Sequence, residues 1–209
     1  MTFQDLAIYL EKLEKTPSRN EITQILADLF KQSKAAEIDK VCYLILGELV
    51  PSYQGIELQI AEKMMIRVLA QAYSVDAGEV TKAYKTNGDL GDVAYELAKG
   101  VGRRAKGMSV SDVYDALMDV ALEAGRGSQE KKINRMVKLL SELDPRSAKF
   151  VSRIPVGKLR LGFSDITIMD ALSVMETVNK KARIYIETAF NVASDIGKIA
   201  FQVKKDGIK

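Results

Sequence analysis

Two stretches of this chain read as one phrase. AYKTNGDLGDVAYEL (83–97) and AFNVASDIGKIAFQV (189–203) align without a gap at an offset of 106. Ala83/Ala189, Asp89/Asp195, Gly91/Gly197 and Ala94/Ala200 are identical, while Tyr84/Phe190, Leu90/Ile196, Val93/Ile199, Tyr95/Phe201 and Leu97/Val203 stay apolar. A second pair, IAEKMMIRVLA (60–70) and FSDITIMDALS (163–173), precedes the phrase in the same order at an offset of 103. Chance likeness between amphipathic helices does not preserve both order and spacing. The chain is therefore expected to consist of two similar helical halves, about 1–99 and 110–209, packed about a pseudo-twofold. GVGRRAKGMS (100–109), with three glycines, three basic residues and no apolar period, reads as their connection.

The stretches between the repeats also carry a helical period, so the expected fold class is all-α. Phe3, Leu6, Leu10 and Leu13 form a first stripe, and SRNE (18–21) reads as a capping box opening a helix through Ile25, Leu29 and Phe30. A third helix over about 36–49 is expected to stop near Pro51, which restricts the residue before it. Asn87-Gly88 reads as a helix end and turn. A helix over about 111–124 is expected to end at Gly125, Ser128 to cap the next, and Asp144-Pro145 to open another. Period-two alternation appears only in KLRLG, 158–162, which is too short to imply a sheet.

Composition narrows the chemistry. At 209 residues the chain can bury a substantial core. No 18-residue apolar run and no basic-then-apolar leader occur, so an intracellular location without a membrane span is expected, in cytoplasm, nucleoid or nucleus. Histidine is absent and carboxylates do not cluster at metal-ligand spacing. The commonest acid–base and metal chemistries thus have little to work with, and no catalytic residue, cofactor site or metal site is assigned. The single cysteine, Cys42, lies in the apolar run VCYLIL and reads as a buried small hydrophobe. Near the C-terminus KKDG (204–207) fits the K-x-D-G pattern of covalent nucleotidyltransferases, but nothing around it resembles a nucleotide site, and Lys204 reads as a solvated tail residue.

Charge is unevenly spread. Residues 126–160 hold ten Lys/Arg against three Asp/Glu, leaving −4 for the rest of a chain whose net charge is +3. Such a basic zone on a mildly acidic body suits a polyanionic partner. Within it, GRGSQEKKINR (125–135) places glycines, a capping Ser128 and the positive end of a helix dipole together, a geometry that suits phosphate. Lys131, Arg135 and Lys138 share the face away from the apolar stripe. The competing reading is a solvated helix face. In SRIPVGKLRLGFSD (152–165), an extended KLRLG would point Lys158 and Arg160 one way and Leu159 and Leu161 into the core, with Gly157 and Gly162 admitting close backbone approach. Its competing reading is a buried connector with snorkelling cations.

ALMDVALEAGRGSQEKKINRMVKLLSELDPRSAKFVSRIPVGKLRLGFSDITIMDAL resembles the N-terminal DNA-binding domain of ATP-dependent DNA ligases of the archaeal and eukaryotic replicative type. GDLGDVA and SDIGKIA fit the same domain, so the resemblance covers nearly the whole chain. It implies an all-helical domain with internal pseudo-twofold symmetry, lying against the minor groove of nicked duplex DNA. By position it makes Gly127, Ser128, Gln129, Lys131 and Lys132 candidate phosphate contacts, with Arg135 on the same helix face, and it adds Arg153, Gly157, Lys158 and Arg160. The adenylation and oligonucleotide-binding-fold domains of that family are not in the chain. The expectation is a fragment that binds nicked double-stranded DNA without sequence preference. ATP and Mg are then expected for the longer enzyme, with its catalytic domains and a sliding clamp as candidate partners. The reading from another class is a helical module docking an acidic protein.

Overall fold

Twelve α-helices carry the described residues of the computed structural model, which are 1–102, 105–159 and 161–208. In chain order they are α1 (Phe3–Lys15), α2 (Arg19–Gln32), α3 (Ala35–Leu46), α4 (Glu62–Tyr73), α5 (Ala77–Asn87), α6 (Leu90–Val101), α7 (Val110–Leu122), α8 (Ser128–Glu142), α9 (Pro145–Arg153), α10 (Asp165–Thr177), α11 (Arg183–Ala193) and α12 (Ile196–Asp206). A 3₁₀ turn occupies Ser52–Gln54, and no strand forms among the described residues. The all-α expectation holds. KLRLG begins outside any helix at Lys158 and Leu159, and Arg160 lies outside the described residues.

Local signals explain most helix ends. Asp144 accepts from the amides of Arg146 and Ser147 with Pro145 at the first helical position, and Gly88 ends α5 in the left-handed region at φ +74°. Ser18 accepts from the Glu21 amide, but Glu21 turns to the Thr16 hydroxyl, so only half of the expected capping box forms. Three expectations shift. α7 ends at Leu122 with Glu123 as its cap, short of Gly125. α3 stops at left-handed Gly47 (φ +78°), before Pro51 acts. α8 is capped by Gly127 at φ +79°, not by Ser128, which becomes its first residue. Glu130 thus sits third in the helix, where an acid is favoured.

The helices gather into two compact units. One comprises residues 2–7 and 56–159 and holds α4–α9; the other comprises residue 1, 8–55 and 160–209 and holds most of α1 with α2, α3 and α10–α12. In the first, α6 packs along α9, α4 on α8, and α5 against α4 and α6. In the second, α12 packs along α3, α10 on α2, and α11 against α10 and α12. The same pairing scheme thus recurs, and each unit draws its helices from both halves of the sequence.

The repeated phrase supplies the matching joints. Asp89 caps α6 and also accepts from Arg153 Nε of α9 at 2.9 Å. Asp195 caps α12 and accepts from the Tyr43 hydroxyl of α3 at 2.6 Å. Two residues on, Gly91 and Gly197 face those same side chains; a Cβ on Gly91 would lie 2.6 Å from the Lys149 carbonyl oxygen, and one on Gly197 would fall on the Tyr43 ring. The aspartate and glycine recur because each marks a place where a helix start is pressed onto a neighbouring helix.

Cys42 is fully buried in α3, and burial pushes its thiol well above the usual range, with the carboxylates of Asp39, Asp165 and Asp195 adding to the shift. An alkylating reagent at mildly alkaline pH is therefore expected to spare Cys42 in the folded protein and label it at the rate of opening. Mass-spectrometric labelling that runs at the rate of a free thiol would contradict this. Lys204 is likewise not a solvated tail group. Its ammonium donates to the carbonyls of Phe30 and Lys31 at 3.0 Å each, satisfying the C-terminal end of α2.

Candidate nucleic-acid interface

α8 takes its orientation from Ile133, Met136 and Leu140, each fully buried. Its first turn is open to solvent: Gly127, Gln129, Glu130 and Lys131 are exposed and Ser128 is half-buried. The Ser128 amide bonds back to the Gly125 carbonyl, while the amides of Gln129 and Glu130 begin a helix whose first groups have no intrahelical acceptor. Gly125 and Gly127 both adopt positive φ, with open space where a Cβ would be. Glycine is thus required by the turn itself, and the turn presents its backbone to solvent.

The cations of this helix differ sharply. Lys131 is 61% exposed and lies 3.8 Å from Glu123 at the end of α7. Arg135 is held more tightly, by Glu123 at 2.8 Å and Asp119 at 3.2 Å, so part of its charge is already answered. Lys132 points the other way. It is 3% exposed, and its ammonium donates to the Leu58 carbonyl at 3.0 Å.

The second basic stretch divides in the same manner. Arg153 is 6% exposed, bound to Asp89 and to Asp92 (3.3 Å), and lies over the Phe150 ring. Gly157 follows at φ +65°, exposed and with open space around it, closing the turn after α9 through its amide bond to the Ile154 carbonyl. Lys158 is exposed on the far side of that turn, with its ammonium 3.8 Å from Glu62. The assignment of Arg160 falls outside the described residues.

Both stretches border α4. Glu130 of α8 pairs with Arg67 of α4 at 2.7 Å, and Lys158 pairs with Glu62 at the start of α4. Glu62 also takes a hydrogen bond from the Tyr84 hydroxyl, which holds that phenol above its usual range. The structure thus brings Gly127, Ser128, Gln129, Lys131, Gly157 and Lys158 to exposed turns of one unit, while Lys132 and Arg153 lie in its interior. Sequence reasoning overlooked Arg67, Glu62 and Leu58. Nothing in their local pattern marks them, since each matters only through a partner distant in the chain. Lys132 did leave a signal: it stands four and seven residues before buried Met136 and Leu139, on the apolar face of α8. No group of three His, Cys, Asp or Glu side chains able to hold a metal occurs among the described residues, and none of their helices is long and apolar enough to cross a membrane.

The sequence matches a family described as DNA ligase N terminus over residues 2–173. Among curated relatives, a probable DNA ligase of Dictyoglomus thermophilum is 40% identical across the whole chain, which covers 35% of that protein. A DNA ligase of Pyrobaculum calidifontis is 40% identical over 97% of the chain and 36% of its own length. A probable DNA ligase of Aquifex aeolicus is 37% identical over the whole chain and 36% of its own length. The chain thus spans about a third of the length of these relatives.

Proposed function

Because the chain belongs to the DNA ligase N-terminal family, we propose that it binds nicked double-stranded DNA through phosphates and groove shape, as the DNA-binding part of an ATP-dependent ligase. The family match carries this reading. The exposed turns at Gly127–Lys131 and Gly157–Lys158 supply what it needs chemically. The first presents backbone amides at the positive end of a helix dipole beside an exposed ammonium, and the second presents an ammonium on a glycine turn. The contact set consists of Lys131 and Lys158, the backbone of Gly127, Ser128, Gln129 and Gly157, and Arg160 by sequence. Arg135 contributes once its carboxylate partners yield to phosphate. Arg153 and Lys132 build the unit that carries these groups.

In the longer enzyme, ATP and a divalent metal supply the adenylyl chemistry that joins a 3′-hydroxyl to a 5′-phosphate. That chemistry belongs to catalytic domains of the parent polypeptide, which are partners of this chain together with the DNA and a sliding clamp. Among the described residues no element resembles a helix built for reading the major groove, so sequence preference is expected to be weak.

The test is a fluorescence-anisotropy titration of nicked and intact duplexes at several salt concentrations. Lys131→Ala and Lys158→Ala are each expected to weaken binding to any sequence alike and to lower the salt slope by about one. Strong dependence on base sequence, or normal binding by both variants, would overturn the assignment. The reading of a protein-docking module keeps one observation of its own: α11 buries only Ile186 and exposes Ile184, Tyr185 and Val192. Absence of duplex binding even at low salt would favour it.

A further inference from the structure

The position of Lys132 is costly. An ammonium with 3% exposure has lost nearly all its water, and such a group is retained only where a partner offsets the loss. That partner is the Leu58 carbonyl, 3.0 Å away. Leu58 belongs to the connector 56–61, which lies outside any helix and leads into α4 through its cap residue Ala61. Leu58 and Ile60 are buried on either side of exposed Gln59, which adopts φ +54°, a conformation that a non-glycine residue holds only when its surroundings fix it.

We propose that Lys132 is a positioning residue: it locks the connector 56–61 to the second turn of α8 and thereby sets the two exposed phosphate-binding turns relative to each other. The links are short. Lys131 leaves α8 one residue before Lys132, Lys132 grips Leu58, the connector delivers Glu62, and Glu62 faces Lys158 at 3.8 Å. Because adjacent helical residues point about 100° apart, anchoring Lys132 inward turns Lys131 outward. The inference rests on the DNA-binding reading, and it moves Lys132 from the contacts that sequence resemblance implies to the support beneath them.

The experiment compares Lys132→Met and Lys132→Arg with the unaltered chain in two arms. Without DNA, amide hydrogen exchange over residues 56–61 and 128–131 is measured on protein whose helical circular dichroism is retained. With nicked duplex, affinity is measured across a salt series. Lys132→Met is expected to speed exchange in both segments and weaken binding about tenfold, as loss of one charged hydrogen bond would, with the salt slope unchanged. Lys132→Arg, which keeps a donor, is expected to recover much of the affinity; if Lys132→Met does not fold, Lys132→Arg decides alone through partial loosening at unchanged slope. A slope lowered by about one would make Lys132 a direct phosphate contact and overturn the proposal. So would unchanged affinity in a folded variant, which would leave Lys132 with a role in stability alone. If the unaltered chain fails to bind duplex, the DNA reading falls, and the exchange arm separately shows whether the lock exists.

Discussion

Asp89→Ala is expected to lower stability by about 3 kcal/mol, well beyond the loss of an ordinary helix cap, which is about 1 kcal/mol. The excess comes from Arg153. Its guanidinium is 6% exposed and is bound to Asp89 through contacts at 2.9 and 3.1 Å, closer than its contact to Asp92 at 3.3 Å. A buried charge deprived of its main partner costs more than the pair contributed, because the desolvation remains. Asp195→Ala removes the matching cap on α12 together with a hydrogen bond from a neutral group, the Tyr43 hydroxyl, so a smaller loss of about 2 kcal/mol is expected. Urea denaturation followed by circular dichroism measures both. Equal losses for the two variants would show that the charge on Arg153 adds nothing to its joint. Asp89→Asn separates the contributions further, since it keeps the cap and removes the negative charge.

Gly91→Ala and Gly197→Ala are the second pair, each expected to cost about 2 kcal/mol, the strain of an inserted methyl group exceeding the gain in helix propensity. The obstacles differ in kind. At Gly91 the new Cβ meets the Lys149 carbonyl oxygen and Arg153 Nε at 2.6 Å, so α6 and α9 have to separate. At Gly197 it meets the Tyr43 ring, with the hydroxyl at 2.5 Å, and the ring is only 8% exposed and has little room to turn. Alanine at Gly125 or Gly127 meets no neighbour but forces a positive φ, so its cost there is backbone strain alone. Thermal unfolding of the four variants distinguishes these causes. A neutral or stabilising Gly91→Ala would mean that the helices pack less closely than the structure shows.

The family assignment and the energetics of the repeat meet in one picture. The Asp-x-Gly phrase builds a joint in each unit, and in the α4–α9 unit the same joint seats α9, whose following turn presents Lys158. Damage to Asp89 or Gly91 is therefore expected to reach DNA binding through the placement of that turn, although neither residue is proposed to touch DNA.

Much of the fold is legible in the residues themselves. The stripe Phe3, Leu6, Leu10 and Leu13 is buried as its spacing demands, Asp144-Pro145 opens α9, and Gly88 closes α5. These features are local: a helical period and a cap depend on neighbours within a turn or two, and the sequence lists those neighbours in order. Even here the cap of α8 moved by one residue, because a glycine at positive φ and a serine at the next position compete for the same place, and only the path of the preceding turn chooses. The basic residues are less legible. Lys131 and Lys132 are chemically identical neighbours, yet one is in water and the other grips a carbonyl 74 residues earlier in the chain. Arg153 and Lys158 belong to one basic stretch, yet Asp89 and Asp92 claim the first.

The sequence by itself determined the all-helical class, the repeated phrase and the stretch in which positive charge collects. The tertiary structure decided which of those charges face solvent and which helices answer the repeated glycines. The reason is physical: periodicity and capping are set by contacts near in sequence, whereas the burial of a charge depends on a carbonyl or carboxylate that only the packing of distant helices brings within reach.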